Sequence, residues 1–335
     1  MRIARIALLI SVVATAGFAQ NNRSAVSLTG NDAATCTVPD PCRTFDTAMS
    51  KTNSGGEVIV LSSAGYGPFT VTKSISIIAP PAYHAAMAPT SGSAITIAAG
   101  VTVVLRNLYL NSLGADIGIQ MEASGSIVHV ENLVINGFTL SGIKACCIFP
   151  ATSEMFIKDT EIRGCGDGIY TYVSSGNLKV FVDHTRLEAN SVNGMSVNQN
   201  STVAANQSLA AGNGGNGFYV TLGKLTVSNS VASANETGFR AYGGQLAAHG
   251  CEASDNGNGF LTYGGGVMTV SNSLATRNIE GIVSLDGRAF ISNNTVTDNG
   301  TGLHVTTGFM ESLGNNMVRG NTTNINGTVT PVTGN

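Results

Sequence analysis

The chain has 335 residues, of which 11% are charged, and its formal net charge is −3. So small a charge, without any basic run, excludes a surface built to bind a nucleic-acid backbone. Glycine is abundant at 41 residues and tryptophan is absent, while lysine and glutamate are scarce beside valine, isoleucine, threonine and serine. This composition is typical of short strands joined by many tight turns rather than of helices.

Residues 1–19 have the features of a secretory signal peptide. Arg2 and Arg5 precede an apolar run over 6–16, and Gly17-Phe18-Ala19 places small residues where a signal peptidase reads them. An uncleaved anchor is the alternative, but the apolar run is short for a membrane span. We therefore expect a secreted or periplasmic protein with no transmembrane segment in its mature chain.

The segment 20–56 is predicted to cap the N-terminal end of the core. Cys36 and Cys42 flank a tight Thr-Val-Pro-Asp-Pro loop, and in an exported chain we expect them to form a disulfide. The segment 43–51 is the one helix we expect, because Phe45, Ala48 and Met49 recur at helical spacing. A solenoid needs such a cover over its terminal repeat.

A glycine followed by an apolar residue recurs every 21–26 residues from position 118 onward, which predicts a solenoid. The apolar residues alternate with polar neighbours, so they should form a continuous column in the core. We attribute the glycines to turns that need a positive φ or a sharp bend. The series is Gly118, Gly142, Gly168, Gly194, Gly217, Gly238, Gly259, Gly281 and Gly302.

Two series of mostly asparagine residues share this period. The first is Asn107, Asn132, Asp159, Asp183, Asn206, Asn229, Gly250, Asn272, Asn293 and Asn315, and the second is Asn235, Asn256, Asn278, Asn299 and Asn321. Asparagine tolerates the left-handed region, and its amide can bond to the asparagine of the next coil about 4.8 Å away. Helical repeats do not fit, because glycine and asparagine interrupt the chain every few residues. We predict a β-helix over 57–325 and a polar tail over 326–335.

Three repeat units and one N-terminal stretch resemble a known family. The units are Val227-Ser-Asn229-Ser-Val231 with Gly238-Phe239, Val270-Ser-Asn272-Ser-Leu274 with Gly281-Ile282, and Ile291-Ser-Asn293 with Gly302-Leu303. They are similar to the right-handed parallel β-helix repeats of pectin-lyase-like proteins. The stretch from Pro41-Cys42-Arg43-Thr44-Phe45 through Gly55-Gly56-Glu57-Val58 to Ser74-Ile75-Ser76-Ile77 resembles the start of small secreted bacterial members of mostly unknown function.

This resemblance covers about residues 25–325 and implies right-handed coils. The expected fold class is all-β: one single-stranded right-handed parallel β-helix of about ten coils, with a short N-terminal capping helix.

A stripe of aromatic residues is predicted on one outer face. The residues two and four positions after each repeat glycine should face solvent, and stacked coils would align them along the helix axis. Tyrosine rings in such a row suit stacking on sugar rings. The alternative is structural, because tyrosine favours strand surfaces and aromatic pairs stabilise sheets. The ligand-binding candidates are Tyr170, Tyr172, Tyr219, Arg240, Tyr242 and Tyr263.

Asp159 and Asp183 are the catalytic candidates, with His184 beside them, because both belong to the first asparagine series in adjacent coils. If stacked, their carboxylates would lie about 5 Å apart, as in retaining glycosidases, or would hold Ca²⁺. The alternative is that each aspartate accepts backbone N–H bonds in its turn. The Asp-Asp and Asp-Pro-His motifs of enzymes in the resembled family are absent from the sequence.

The expected function is a secreted scaffold that binds a glycan or cell surface, or has a structural role, without catalysis. The alternative is a polysaccharide lyase, hydrolase or epimerase with a site near Asp159 and Asp183, so the sequence does not decide whether the protein is an enzyme. No cofactor is expected apart from Ca²⁺ in that alternative. The expected partner is a polysaccharide or a cell-surface glycan.

The pairing of the four remaining cysteines stays open. A bond from Cys146 or Cys147 to Cys165 is one arrangement, while Cys251 is expected to be a buried thiol. Zinc ligation is not expected, because no Cys-x-x-Cys or His-x-x-x-His spacing occurs.

Overall fold

The structure is a computed structural model that describes residues 21–122, 124–148 and 151–332. The predicted signal peptide, residues 1–19, lies outside the described residues. Within them, no helix is long and apolar enough to cross a membrane.

One short helix and 38 strands make up the described chain, and the helix is α1 (Phe45–Ser50). The first half contains β1 (Asn21–Val26), β2 (Thr52–Val60), β3 (Ala64–Gly65), β4 (Phe69–Val71), β5 (Ile75–Ile78), β6 (Ala85–Met87), β7 (Ser93–Ile97), β8 (Thr102–Arg106), β9 (Leu108–Asn111), β10 (Ile117–Met121), β11 (Ile127–Glu131), β12 (Val134–Asn136), β13 (Ser141–Ile148), β14 (Ser153–Lys158), β15 (Glu161–Arg163), β16 (Asp167–Ser175), β17 (Leu178–Asp183), β18 (Arg186–Glu188) and β19 (Met195–Val197). The second half contains β20 (Ser201–Asn206), β21 (Leu209–Ala211), β22 (Asn216–Thr221), β23 (Lys224–Ser228), β24 (Val231–Ser233), β25 (Thr237–Tyr242), β26 (Gln245–His249), β27 (Glu252–Ser254), β28 (Asn258–Tyr263), β29 (Val267–Ser271), β30 (Leu274–Thr276), β31 (Glu280–Ser284), β32 (Arg288–Ser292), β33 (Thr295–Thr297), β34 (Thr301–Val305), β35 (Phe309–Ser312), β36 (Met317–Val318), β37 (Thr323–Asn326) and β38 (Thr330–Pro331).

These strands form three parallel sheets in which neighbours come from consecutive coils. Sheet I has 14 strands, β1-β2-β5-β8-β11-β14-β17-β20-β23-β26-β29-β32-β35-β38. Sheet II has 12 strands, in the order β3-β6-β9-β12-β15-β18-β21-β24-β27-β30-β33-β36. Sheet III also has 12, in the order β4-β7-β10-β13-β16-β19-β22-β25-β28-β31-β34-β37. Each coil therefore passes through sheet I, then sheet II, then sheet III, which confirms the parallel β-helix.

The solenoid has about twelve turns, two more than the coil count taken from the repeat. The difference arises in the first coils, where the glycine-apolar signal is missing. Ile119 pairs with Ile95 of the preceding coil, so Ala94 stands where the later coils have glycine. Ala94 is fully buried and small enough to fill the same position.

The core is the predicted column of apolar residues that follow the repeat glycines. Its members from Ile119 to Leu303 are all buried. Three phenylalanines in consecutive coils stack nearly parallel: the ring centroids of Phe218 and Phe239 are 5.2 Å apart, and those of Phe239 and Phe260 are 4.8 Å apart. Inward residues on successive rungs therefore bury apolar surface continuously along the axis.

The repeat glycines serve a different purpose from the one expected of them. None of them has a positive φ; each faces the backbone of the next coil instead. A Cβ added at Gly238 would lie 2.7 Å from the carbonyl oxygen of Gly259, and one added at Gly217 would lie 2.7 Å from that of Gly238. The requirement is close approach between coils, so the turn explanation was wrong.

Positive φ occurs instead at turn residues, among them those between sheets I and II. Asn107, Asn132, Asp159, Asn229, Asn272 and Asn293 adopt it there, with Gly250, as the first series predicts. At three coils, however, the positive φ lies at a neighbouring residue: His184 and Gln207 are one position after the predicted member of the series, and Gly314 is one position before it.

The second asparagine series is buried between sheets II and III and extends two coils further toward the N-terminus than predicted. It begins at Asn190 and Asn213, which are 1% and 3% exposed. The Nδ2 of each residue donates to the Oδ1 of the next over 2.9–3.1 Å, through Asn235, Asn256 and Asn278 and onward to Asn321. This amide chain satisfies polar groups that strand pairing leaves over.

The N-terminal end is covered as predicted. Thr44 caps α1 by accepting a hydrogen bond from the backbone N–H of Thr47. The ring of Phe45 lies 4.8 Å from that of Phe69, over the first coil. The predicted disulfide between Cys36 and Cys42 is present and closes the adjoining loop.

The C-terminal end is open by comparison. Ile325, on the last strand of sheet III, is 51% exposed although it continues the core column. The segment predicted to be a polar tail contributes β38, which pairs with β35.

Cys165 and Cys251 are buried free thiols, whereas Cys146 is disulfide-bonded. The bond proposed to Cys165 is therefore wrong, and the expectation for Cys251 is confirmed.

Candidate functional site

The predicted aromatic residues lie on the outer face of sheet III. Their strands are β16, β22, β25 and β28, where each outward residue alternates with a core residue such as Phe239 or Phe260. We call the set the tyrosine stripe: Tyr170, Tyr172, Tyr219, Arg240, Tyr242 and Tyr263. One strand without a stripe residue, β19, lies between the pair on β16 and Tyr219 on β22, so the stripe has two parts.

The stripe runs in two columns that differ in exposure. Residues two positions after the glycine are half-buried or buried, and in this column Leu261 is 6% and Val283 is 0% exposed. Among the residues four positions after the glycine, Tyr172, Tyr242 and Tyr263 reach solvent at 37%, 40% and 39% exposure, whereas Cys146 is 2% exposed. The expectation that both columns face solvent therefore holds only for these tyrosines of the second column.

Contacts within the stripe join neighbouring coils. Tyr242 and Tyr263 are directly paired across β25 and β28, with ring centroids 5.4 Å apart and planes tilted by 35°. The Arg240 guanidinium lies 5.6 Å from the centroid of the Tyr219 ring, within range of a cation–π contact. Burial, together with the nearby Asp167 and Tyr172, raises the pKa of Tyr170. The part of the stripe on β22, β25 and β28 is thus a packed surface.

Arg240 has an unused hydrogen-bonding capacity. It forms no ion pair with the described residues, and its buried Nε has no hydrogen-bond partner among them. A guanidinium has five N–H donors and no acceptor, so the donors other than the buried Nε are the ones that a ligand with oxygen acceptors would contact.

The two catalytic candidates, Asp159 and Asp183, do not share a rung. Asp183 ends β17 and is paired with Lys158, the residue before Asp159. Asp159 sits in the following turn with a φ of 49°, and His184 takes that turn position in the next coil. The stacked carboxylate pair was therefore wrong, because the two coils differ by one residue from the spacing read in the sequence.

Asp183 is held in a small polar network. Its Oδ1 accepts a hydrogen bond from Nδ2 of Asn206 over 3.0 Å, and its Oδ2 lies 2.8 Å from Nδ1 of His184. These two contacts hold the pKa of Asp183 below its usual range. Beside them a groove of about 290 Å³ is lined by Asp159, Glu161 and other residues of the same turns.

The same residues do not belong to a metal-ligand cluster within the described part of the chain. Across residues 21–122, 124–148 and 151–332, no three His, Cys, Asp or Glu side chains converge as ligands of one ion would. The calcium alternative at Asp159 and Asp183 is thus not supported by a cluster of acidic ligands.

A known protein family matches most of this chain. A family model described as a right handed beta helix region matches residues 87–245 and, in a second match, residues 211–323. Together the matches span more than half of the sequence. The chain belongs to the right-handed β-helix family. No curated protein matches the sequence.

Solved structures share this fold at low identity. The A-module of mannuronan C-5 epimerase AlgE4 from Azotobacter vinelandii aligns with a TM-score of 0.50 and 12% identity, over 84% of this chain and 91% of that one. Pectate lyase Pel9A gives a TM-score of 0.46 and 16% identity over 95% and 79%. The periplasmic alginate epimerase AlgG gives 0.42 and 11% over 75% of each chain. At these identities the likeness shows the β-helix fold alone.

The β-helix also carries an aromatic surface that the sequence reasoning missed. His129, Phe156 and Phe181 stack on the outer face of sheet I, and we call them the ring ladder. Each lies three residues before a positive-φ turn residue, namely Asn132, Asp159 and His184. This constant offset is present in the sequence, but it is not found when positions are counted only from the repeat glycines.

Proposed function

We propose that this β-helix is an exported glycan-binding protein and that the tyrosine stripe is its binding surface. The observation that carries the proposal is the exposed pair Tyr242 and Tyr263, with the unpaired Arg240 guanidinium on the same sheet. A tyrosine ring offers an apolar face to sugar C–H groups and a hydroxyl to sugar oxygens. The guanidinium would donate to hydroxyl or carboxylate oxygens of the same chain.

The regular spacing of the coils suits an extended ligand. Successive rungs lie about 4.8 Å apart, so a polymer along the axis would meet equivalent positions repeatedly. The mannuronan epimerase that shares the fold is named for a polysaccharide, which agrees with this class of ligand. Polymer binding without catalysis needs only such a surface.

Catalysis at Asp159, Asp183 and His184 is less well supported. A pair of acting carboxylates would have to face one sugar, but these two are one residue out of register. Asp183 is moreover engaged by Asn206 and His184, as a structural carboxylate would be. We therefore propose binding without a chemical step.

We further propose that the protein works outside the cytoplasm. The disulfide between Cys36 and Cys42 supports an oxidising compartment. In the proposed division, residues 1–19 are a signal peptide, 20–56 the N-terminal cap, 57–325 the β-helix and 326–335 the tail.

Affinity gel electrophoresis against a panel of neutral and acidic polysaccharides tests the function. The wild type should be retarded by at least one polysaccharide, and the Tyr242→Ala/Tyr263→Ala variant should be retarded much less, as binding that is about tenfold weaker implies. Tyr109→Ala is the matched control, because Tyr109 is 37% exposed on sheet II, away from the stripe.

Two outcomes would contradict the proposal. One is equal retardation of the wild type and the stripe variant. The other is the release of unsaturated or reducing sugar ends during incubation with the retarding polysaccharide, which would show a chemical step.

A further inference from the structure

The ring ladder lies on a different face from the tyrosine stripe. His129, Phe156 and Phe181 occupy one outward position on β11, β14 and β17. The ring centroids of the first two are 4.8 Å apart and those of the last two are 5.0 Å apart, with interplanar angles of 9° and 11°. Since these side chains point away from the core, their stacking builds a surface rather than filling the interior.

The two ends of the ladder differ. Beyond His129 the next residue in the column is Val104, whose branched side chain occupies the adjacent position on β8. Beyond Phe181 the next residue is Ala204, followed by Thr226. Phe181 is 42% exposed, so one face of its ring borders open space above a methyl group.

That space has the dimensions of one more ring. Neighbouring strands of a sheet are about 4.8 Å apart, which matches the spacing between the rings already in the ladder. A six-membered ring placed over Ala204 would therefore stack on Phe181 as Phe181 stacks on Phe156. Thr202 and Asn206, the outward neighbours of Ala204 on β20, would lie at its two edges.

The polar groups around this space point to a hydroxylated ligand. The Asn206 amide donates to Asp183 and Gln207, and its Oδ1 accepts from Asn229. This edge therefore offers a ligand acceptor oxygens, the second lone pair of Asn206 Oδ1 and the carboxylate of Asp183. On the other edge Lys179 is engaged with Glu154 over 3.4 Å, while Lys224 follows Thr202 in the next coil. Donors and acceptors of both kinds therefore surround the ring position, and neither sign of charge dominates. Sugar hydroxyls both donate and accept, which such a rim would satisfy.

We infer that Phe181, Ala204 and Asn206 form a second binding site, for one pyranose ring of a neutral oligosaccharide, which stacks as the fourth ring of the ladder. The apolar face of the sugar covers the free face of Phe181, and its hydroxyls bond to Asn206 and Asp183 at one edge. The site does not depend on the tyrosine stripe, because the two lie on separate sheets.

The test is a titration of the full chain with cellotetraose, mannotetraose and xylotetraose, followed by NMR of labelled phenylalanine rings. At least one of these neutral sugars should bind and shift the Phe181 ring signals. Phe181→Ala removes the platform, and Ala204→Phe fills the space with a side chain while extending the ladder. Each should raise the Kd at least tenfold, with the second variant as stable as the wild type.

Ala247→Phe is the matched control, because it adds the same ring in the same column two coils away and leaves the space over Ala204 open. It should leave the Kd within twofold of the wild-type value, as should Tyr242→Ala/Tyr263→Ala, which separates this site from the stripe. The inference is overturned by undiminished binding to Ala204→Phe. It is equally overturned if no neutral tetrasaccharide binds, or if an acidic hyaluronan tetrasaccharide binds more tightly than all three.

Discussion

Replacing Asn256 by alanine should reveal how much the buried amide chain stabilises the β-helix. Asn256 is 3% exposed, and its Oδ1 accepts from both the backbone N–H and the Nδ2 of Asn235, over 3.0 and 3.1 Å. Its own Nδ2 donates to the carbonyl of Ala232 and to the Oδ1 of Asn278. An alanine keeps none of these side-chain bonds.

The magnitude follows from the groups that lose their partners. Two donors of Asn235 would be left buried without an acceptor in the next coil, and each such group costs about 1–3 kcal/mol. We expect the free energy of unfolding to fall by about 3 kcal/mol in total.

Urea unfolding followed by circular dichroism measures this loss. The matched control is Asn272→Gly, which removes an exposed amide at a φ of 51°, a conformation that glycine adopts without strain. That variant should lie within about 0.5 kcal/mol of the wild type. Equal free energies of unfolding for the two variants would refute the assignment of the buried chain as a stabilising network.

Three further predictions concern the backbone, the cap and pH. Gly238→Ala should lower the free energy of unfolding by about 1–3 kcal/mol, because its Cβ would meet the next coil, whereas Gly65→Ala, with nothing within 4 Å, should be nearly neutral in the same urea titration. Cys36→Ser/Cys42→Ser should cost about 2 kcal/mol by releasing a short loop, and a reduced wild type that melts like the oxidised one would argue against it. The lowered pKa of Asp183 means that its ionised form stabilises the fold above the ordinary carboxyl pKa of about 4, and that this contribution is lost as pH falls through the lower folded value. The stability difference between wild type and Asp183→Asn should thus shrink from pH 7 to pH 3, and a difference that grows would contradict the sign.

The repeat period predicted the architecture because stacking imposes it on every coil. The Phe218, Phe239 and Phe260 column follows from alternation at period two combined with a constant coil length. The structural role of the repeat glycines could not be predicted so directly. A glycine needed for positive φ and a glycine needed for close approach between coils look alike in a sequence.

The acidic pair shows where residue type misleads. Asp183 and Asn206 are the residue types that favour left-handed turns, but His184 and Gln207 take those positions because strand pairing sets the register. The preference of one residue for a backbone conformation determines the register less strongly than the pairing of a whole strand does.

The sequence also did not reveal how much of each outward side chain is exposed to solvent. Leu261 and Tyr263 both point outward from β28, but only the tyrosine reaches solvent. What covers the outer face depends on neighbouring turns, which a repeat pattern does not describe. The ring ladder was missed for a related reason. The glycine series describes positions on sheet III, whereas Phe156 and Phe181 lie on sheet I.

The central claim is that the tyrosine stripe binds a glycan, and NMR of the protein with labelled tyrosine rings tests it most directly. On titration with the polysaccharide that retards the wild type, the ring signals of Tyr242 and Tyr263 should shift and saturate together, while those of Tyr109 stay unchanged. Replacing both Tyr242 and Tyr263 by alanine should weaken binding about tenfold, as two aromatic contacts of about 0.7 kcal/mol each imply. Saturable binding that leaves the Tyr242 and Tyr263 signals unmoved would contradict the claim.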